Sequence, residues 1–518
     1  NNSSATQTIE NNIIIASSGS RYVYATSGDI AFNGNIDLTP GSMVFRGGHD
    51  VTLNGLITGT GSLSRTDPGT IYITNDDNTF SGNISISHGV FEVASIADAG
   101  VACALGKGSA IGLSQGSWGP SDTGTLRYTG STASTNRTIE MRSNDFSGGT
   151  STPDEEVPSG RPTLEVTDPD TTLTFTGDFK YATGSSSGRY WQLLGAGNGV
   201  IEGDITTTGA GIRKAGTGTW TLAGSNTYEG VTTVEAGILR VLHSNGLGTA
   251  DGETVVKSGA QVQIAGGLDF DEAFTLSGEG QNYSGALRST SGSNTLNGPI
   301  TLDGFARLTA ASGTLDVTGG VTGGSDSFVV NAHGSAVLSF TTTPVTLGET
   351  AQFYSDAGGT VALGVSGNTW GTTVVAGGTV RMDVADALPA ASALAIGLGY
   401  SPNGTLDLNG FNQTVGELRH GTTNAGSRTV TSATAATLTV NQDVDSTYDG
   451  ALTGSLAITK SGTGRLTLAG DSSYSGVTNV SAGTVRIQHN NALGATTGNT
   501  VVGTAGQLQL DGSAGALN

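Results

Sequence analysis

The feature that most constrains the fold of this chain is an internal repeat. Residues 214–264 and 460–510 align without a gap at a constant offset of 246 positions (460 − 214), and 26 of the 51 aligned residues are identical. Weaker copies occur at residues 59–93 and 363–388. Because one such unit is too small to bury its own hydrophobic face, repeats of this length predict units that stack into a solenoid.

Hydrophobic residues alternate with polar residues inside each copy. Trp220 and Leu222 form one alternating pair, and Leu239 and Val241 form another. This period of two is typical of short strands that bury one face. Glycines separate the alternating runs at positions where tight turns are expected, namely Gly224, Gly230 and Gly237.

A sharp bend is predicted where asparagine, an aromatic residue and glycine follow one another at alternate positions, as in Asn226, Tyr228 and Gly230. Asparagine and glycine tolerate the left-handed backbone conformation that such a bend requires. The aromatic positions of the four copies are Phe80, Tyr228, Trp370 and Tyr474. We expect these rings to pack inward onto the next coil, with stacking on a sugar as the alternative.

Composition supports an all-β chain. Glycine accounts for 83 of 518 residues, only 13% of residues are charged, and 6% are aromatic. We therefore predict an elongated, single-stranded parallel β-helix, or β-solenoid, formed by residues 1–518 as a single domain. At roughly 20–25 residues per coil, it would have roughly 20–25 coils. Two polar segments, 144–162 and 183–199, are predicted to project as loops, and Tyr190 and Trp191 lie in the second.

The charge balance excludes some classes of partner. The chain has 43 acidic and 22 basic residues, a net charge of −21. Nucleic acids and anionic membrane surfaces are bound by clusters of Lys and Arg, which this sequence lacks. A single cysteine, Cys103, rules out a disulfide within the chain, and its apolar neighbours predict a buried thiol.

No motif in the sequence designates a catalytic, cofactor-binding or metal site. The acidic runs at 75–78 and 168–170 lack the spacing of known calcium loops, so solvated turns are the better interpretation. Two Gly-x-Ser-x-Gly matches, at 112–116 and 184–188, lack the strand-to-helix setting of a nucleophile elbow. The six histidines are spaced too widely to suggest a metal pair. We therefore expect no enzymatic activity and no cofactor.

The repeat resembles the passenger-associated transport repeat, also called the autotransporter-associated β-strand repeat. The resemblance is carried by Gly216, Gly218, Trp220, Leu222, Gly224, Asn226, Tyr228, Gly230, Gly237, Leu239 and Val241 and by their equivalents in residues 460–494. It implies the right-handed β-helical passenger domain of a Gram-negative autotransporter, located at the cell surface or secreted. A signal peptide and a C-terminal β-barrel would then lie outside this sequence.

Passengers of the adhesin type imply a function in bacterial aggregation, biofilm formation or host attachment. The expected partners are copies of the same protein on neighbouring cells, or a host surface protein or glycan. The alternatives are a polysaccharide lyase or glycoside hydrolase on the same scaffold, and an inert stalk that presents another domain. Fold alone does not separate these functions.

Overall fold

A computed structural model describes residues 1–115, 123–143, 161–183, 190–398, 403–421 and 426–512. The chain is all-β, and its strands pair in parallel as a β-solenoid of about 21 turns. Within these ranges the helical structure is limited to short 3₁₀ turns, of which Gln281–Tyr283 is the longest. No helix in the described residues is long and apolar enough to span a membrane. The predicted fold class is confirmed.

The chain divides into two compact units, Asn1–Val255 and Val256–Asn518. The single domain over residues 1–518 stays a prediction. The strands that begin in the first unit are β1 Gln7–Ile9, β2 Ile13–Ile14, β3 Ser20–Tyr24, β4 Ile30–Phe32, β5 Ile36–Asp37, β6 Ser42–Arg46, β7 Val51–Leu53, β8 Ile57–Thr58, β9 Leu63–Arg65, β10 Thr70–Ile73, β11 Ile84–Ile86, β12 Gly89–Val93, β13 Ala110–Gln115, β14 Gly124–Tyr128, β15 Ala133–Thr135, β16 Thr138–Ser143, β17 Thr163–Val166, β18 Thr172–Phe175, β19 Phe179–Tyr181, β20 Tyr190–Leu194, β21 Asn198–Ile201, β22 Gly211–Lys214, β23 Thr219–Leu222, β24 Thr232–Val234, β25 Ile238–Val241 and β26 Glu253–Val256.

The strands of the second unit are β27 Gln261–Ala265, β28 Asp269–Phe270, β29 Ala273–Gly278, β30 Leu287–Ser291, β31 Ser293–Leu296, β32 Ile300–Ala310, β33 Thr314–Val317, β34 Val321–Thr322, β35 Phe328–Ala332, β36 Val337–Phe340, β37 Val345–Thr346, β38 Gln352–Ser355, β39 Thr360–Leu363, β40 Thr372–Val375, β41 Gly377–Met382, β42 Ala393–Ile396, β43 Asn403–Asp407, β44 Gln413–Val415, β45 Glu417–His420, β46 Thr429–Asn441, β47 Ser446–Tyr448, β48 Ala451–Ser461, β49 Arg465–Leu468, β50 Thr478–Ile487 and β51 Thr500–Leu510.

Columns of apolar side chains in register form the core of each unit. In the first unit, Val51, Ile71, Phe91 and Leu126 stand opposite one another on β7, β10, β12 and β14, and each is at most 1% exposed. Burial of each such side chain contributes roughly 1.5–3 kcal/mol. The period-two pattern of the sequence therefore creates one continuous hydrophobic interior per unit.

The second unit repeats this arrangement. Leu315, Leu338, Val361, Val380 and Leu406 form an inward column on β33, β36, β39, β41 and β43, again at most 1% exposed. The residues that flank them on each strand are half-buried or exposed, except Ala362, which is buried. Each coil thus contributes a layer to the core and a row to the surface, which is how a solenoid presents extended binding faces.

The structure describes only part of each of the two predicted loops, 144–162 and 183–199. Residues 144–160 of the first lie outside the described part of the chain, as do residues 184–189 of the second. The prediction is wrong for the remainder of the second, because Tyr190–Leu194 and Asn198–Ile201 are strands. The Trp191 side chain is 1% exposed and its indole N–H donates to Thr207 Oγ1 at 3.1 Å, so it belongs to the core.

Candidate binding surfaces

The asparagine of the repeat joins three consecutive coils. Asn226 is 2% exposed, its Oδ1 accepts the Ile205 N–H at 2.9 Å, and its Nδ2 donates to the Gly246 carbonyl at 2.7 Å. The same two contacts recur at the equivalent asparagines, Asn78 and Asn368. Because each of these buried side-chain amides bonds to the main chain of the coil before it and the coil after it, the asparagine fixes the register of the coils. This position of the repeat is therefore structural.

The corner aromatic residues all face the interior, and the prediction of inward packing is confirmed. Phe80, Tyr228, Trp370 and Tyr474 are at most 4% exposed. Gly248 of the next coil lies against Tyr228 with a φ of +93°, and a Cβ there would come within 2.3 Å of the Tyr228 carbonyl oxygen. Sugar stacking on these rings would require them at the surface and is therefore excluded.

A lysine in each of the two closest copies is enclosed by main-chain carbonyls. Lys214 is fully buried, and its Nζ donates to the carbonyls of Ala215, Gly216 and Ala236 at 3.2, 2.9 and 2.9 Å. Ala236 belongs to the following coil. The ammonium group therefore supplies donors to carbonyls at a turn, where few main-chain N–H groups are available to pair with them.

The copies at 460–510 and 59–93 also place a buried cation at the position of Lys214. Lys460 is fully buried and donates to the carbonyls of Gln442 and Gly462 at 3.2 and 2.9 Å. Arg65 is also fully buried, and its Nη2 donates to the Gly47 carbonyl at 2.7 Å. The alignment of Lys214 with Lys460 was visible in the sequence, but their burial was not predicted.

Arg137 is a fourth buried cation that sequence reasoning missed. It is fully buried, and its guanidinium group donates to the carbonyls of Ala97, Leu105, Gly106 and Gly108. Burial lowers the pKa of this guanidinium group. The predicted buried thiol, Cys103, lies in the same segment, 3% exposed and 3.4 Å from Arg137 Nη2.

The burial of Lys214 predicts a stability that rises in alkaline solution. Burial lowers the pKa of its ammonium group from 10.5 to about 8. Between these two pH values the unfolded chain binds more protons than the folded chain, so the free energy of unfolding increases with pH. We expect a gain of at most about 3 kcal/mol from pH 8 to pH 10.5.

The measurement is denaturant unfolding across that pH range, for the unaltered chain and for Lys214→Met. The variant lacks the titrating group, so the difference between the two curves isolates Lys214 from other groups that titrate at high pH. A difference that does not change with pH would contradict the prediction.

Several polar residues considered as sites hold turns together. Asn75 Oδ1 accepts the Asp77 N–H, and Asp168 Oδ1 accepts the Asp170 N–H, at 3.0 and 2.9 Å. His243 Nδ1 similarly accepts a main-chain N–H two residues later, at 3.0 Å. These contacts agree with the interpretation of the acidic runs as turns. Within the described residues no three His, Cys, Asp or Glu side chains are grouped so that they could hold a metal ion.

A row of threonines crosses five consecutive coils of the second unit. These residues, named here the threonine ladder, are Thr275, Thr301, Thr322, Thr346 and Thr369, and each stands opposite the next in parallel register. Thr275 is half-buried and the other four are exposed. Adjacent strands are about 4.8 Å apart, so the ladder presents a hydroxyl and a methyl group at that interval.

Acidic residues follow the ladder along one side. Asp303, Asp326 and Glu349 come two to four residues after the ladder threonines of their coils, and all three are exposed. The ladder is therefore an uncharged strip beside a negatively charged one. On a chain of net charge −21, such a strip is a surface that another acidic molecule can approach.

Three segments of the chain, residues 58–93, 212–241 and 458–487, match the family model of the passenger-associated transport repeat. The resemblance inferred from the sequence is confirmed. The chain is also similar to the adhesin BmaC autotransporter of Brucella suis biovar 1 (strain 1330), with 28% identity over 529 residues. That alignment covers 90% of this chain and 14% of the relative. No solved structure matches the chain.

Proposed function

We propose that this chain is part of the passenger of a surface-exposed or secreted autotransporter and acts there as a non-catalytic adhesin. Three transport repeats and the similarity to an autotransporter adhesin support this proposal. Because the chain spans only 14% of that relative, the activity of the whole relative does not transfer by similarity alone. The observation on this chain that carries the proposal is the threonine ladder.

The ladder suits contact between two copies of this chain. A second ladder has the same spacing between its threonines, so hydroxyl and methyl groups can meet at every coil. Each contact is weak, but several contacts on one rigid surface, and many molecules on one cell, add up to strong attachment. Attachment of cells to one another would support aggregation and biofilm formation, and a host protein or glycan is the other class of partner.

Placing charge on the ladder is expected to abolish self-association. Thr322→Glu together with Thr346→Glu would set like charges against each other across the contact, which costs several kcal/mol. The measurement is the settling rate of non-aggregating bacteria that display the whole chain. The matched control is Ser312→Glu with Thr314→Glu, which adds the same charge at exposed positions outside the ladder.

The salt dependence gives a second readout of the same contact. Because Asp303 and Glu349 flank the ladder, settling should become faster when the salt concentration rises from about 0.01 M to about 0.15 M, as the screening length falls from roughly 30 Å to 8 Å. If cells that display the chain do not clump, or if cells with the ladder variant and the control variant settle at the same rate, the proposed contact between two copies of the ladder is wrong. Binding to host proteins and cleavage of polysaccharides would then be the functions to assay.

A further inference from the structure

A polar cavity opens on the second unit, and none of the threonine ladder residues lines it. Its volume is about 480 Å³, and it is open to solvent, not enclosed. It lies where β38 ends and where β41 and β43 begin. The residues that line it are Asp356, Ala357, Gly358, Gly377, Gly378, Thr379, Asn403, Thr405 and Ser427.

The lining offers hydrogen-bonding groups of both kinds and more polar than apolar surface. Thr379 and Thr405 are opposite each other on β41 and β43, so their side chains repeat on adjacent coils. Asn403 Oδ1 accepts the Ser427 N–H at 2.8 Å, which fixes the amide and directs its NH₂ group as a donor. The single carboxylate is Asp356, an acceptor.

Asp356 is held in place by an ion pair. The Arg307 side chain is largely buried, at 12% exposed, and its Nη1 is 3.5 Å from Asp356 Oδ1. Its Nη2 is 3.1 Å from Glu279 Oε1. The carboxylate is thus positioned before any ligand arrives, and preorganised polar groups of this kind reduce the cost of binding.

Gly358 leaves the backbone of the cavity open at one point. Gly358 has no atom within 4 Å of the position that a Cβ would occupy, and its backbone is not in the left-handed region. A flat molecule can therefore lie against the main chain at this point. The same openness means that the Cβ of a larger side chain at Gly358 would meet no atom of the fold.

The chemistry of the lining selects among ligand classes. Asp356 opposes anions such as phosphate, and one carboxylate already paired with Arg307 does not make a site for a divalent cation. Ala357 is the only apolar side chain among the lining residues, which disfavours hydrophobic ligands. We propose that this cavity binds a neutral saccharide, whose hydroxyl groups match the alternating donors and acceptors.

Catalysis on that saccharide is not part of the proposal. Glycoside hydrolysis generally uses two carboxyl groups that flank the scissile bond. Asp356 is the one carboxylate among the described residues that line the cavity. The proposed saccharide site also does not depend on self-association, since none of its lining residues belongs to the threonine ladder.

The test is saturation-transfer NMR on the purified whole chain. The probes are the methyl glycosides of glucose, galactose, mannose and N-acetylglucosamine, their disaccharides, and glucuronic acid as the anionic comparison. We expect at least one neutral probe to bind with a Kd of about 1 mM or tighter. Gly358→Leu, which adds a bulky side chain to the lining, should weaken that binding at least about tenfold without changing the thermal unfolding midpoint.

Two further variants separate this site from the rest of the surface. Thr405→Val keeps the shape of the side chain and removes one hydroxyl group, so it should also weaken binding. Thr322→Glu with Thr346→Glu should leave saccharide binding unchanged even where it abolishes clumping. The proposal is overturned if no neutral probe binds up to about 10 mM, if Gly358→Leu binds as well as the unaltered chain, or if glucuronic acid binds better.

Discussion

Replacing Asn226 with leucine is expected to lower the free energy of unfolding by about 2–6 kcal/mol. Leucine has the same number of side-chain heavy atoms as asparagine and the same branching at Cγ, so the change removes hydrogen bonds without opening a cavity. It leaves the Ile205 N–H and the Gly246 carbonyl buried and unpaired, and each such group costs about 1–3 kcal/mol. The measurement is denaturant unfolding combined with amide hydrogen exchange, which should show the loss of protection first at Ile205.

The control is Asn245→Ala, on the coil that follows Asn226. Asn245 is exposed, and its side chain donates only to Ser225 Oγ, at 3.3 Å. Surface changes of this kind usually alter stability by less than about 0.5 kcal/mol. If Asn226→Leu were no more destabilising than this control, the hydrogen bonds by which Asn226 joins three coils would not be a determinant of stability.

Replacing Arg137 with methionine is expected to release the segment of residues 97–108 and to cost about 3–5 kcal/mol. Four carbonyls of this segment lose their guanidinium donor, and burial of the uncharged methionine offsets only part of that cost. The readout is cleavage by trypsin after Lys107, which is exposed but whose N–H is held by the Phe80 carbonyl at 2.6 Å.

We expect cleavage after Lys107 to accelerate at least about tenfold in Arg137→Met, since a loss of about 1.4 kcal/mol in local stability already gives that factor. Arg127→Met is the matched control. Arg127 pairs with Glu92 and Glu165 but is about one-third exposed, and exposed pairs contribute roughly 0–1 kcal/mol. Equal cleavage rates in the two variants would show that the hydrogen bonds from Arg137 to the four carbonyls do not hold residues 97–108 in place.

The sequence predicted those features that one copy of the repeat displays by itself. Period-two alternation marked the strands, and the equivalence of Tyr228 with Tyr474 marked a corner whose ring was expected to pack inward, as it does. Trp191 was misplaced because the Gly- and Ser-rich residues before it resemble a loop, whereas the ring itself belongs to a strand. The glycine- and serine-rich composition of the preceding residues led to the prediction of a loop, although the large apolar side chain of Trp191 favoured a buried strand.

The buried cations and the threonine ladder depend on contacts between coils, and a single sequence does not show these. Arg137 donates to carbonyls about 30–40 residues away in the sequence. Nothing in the sequence of residues 97–108 indicates that these carbonyls converge on one guanidinium group. The ladder threonines are separated by 26, 21, 24 and 23 residues (301 − 275, 322 − 301, 346 − 322 and 369 − 346). Because the coils differ in length, no fixed period connects these residues until the strands are paired.

The even spacing of the ladder has a consequence for how an attachment would yield under load. A partner with the same spacing finds nearly the same contacts when it is displaced by one coil, so neighbouring alignments differ little in free energy. Two such surfaces can slip past one another in steps of about 4.8 Å and re-engage, without separating fully. Cells held in this way would dissipate shear through friction along the interface, where a lock-and-key contact would simply rupture.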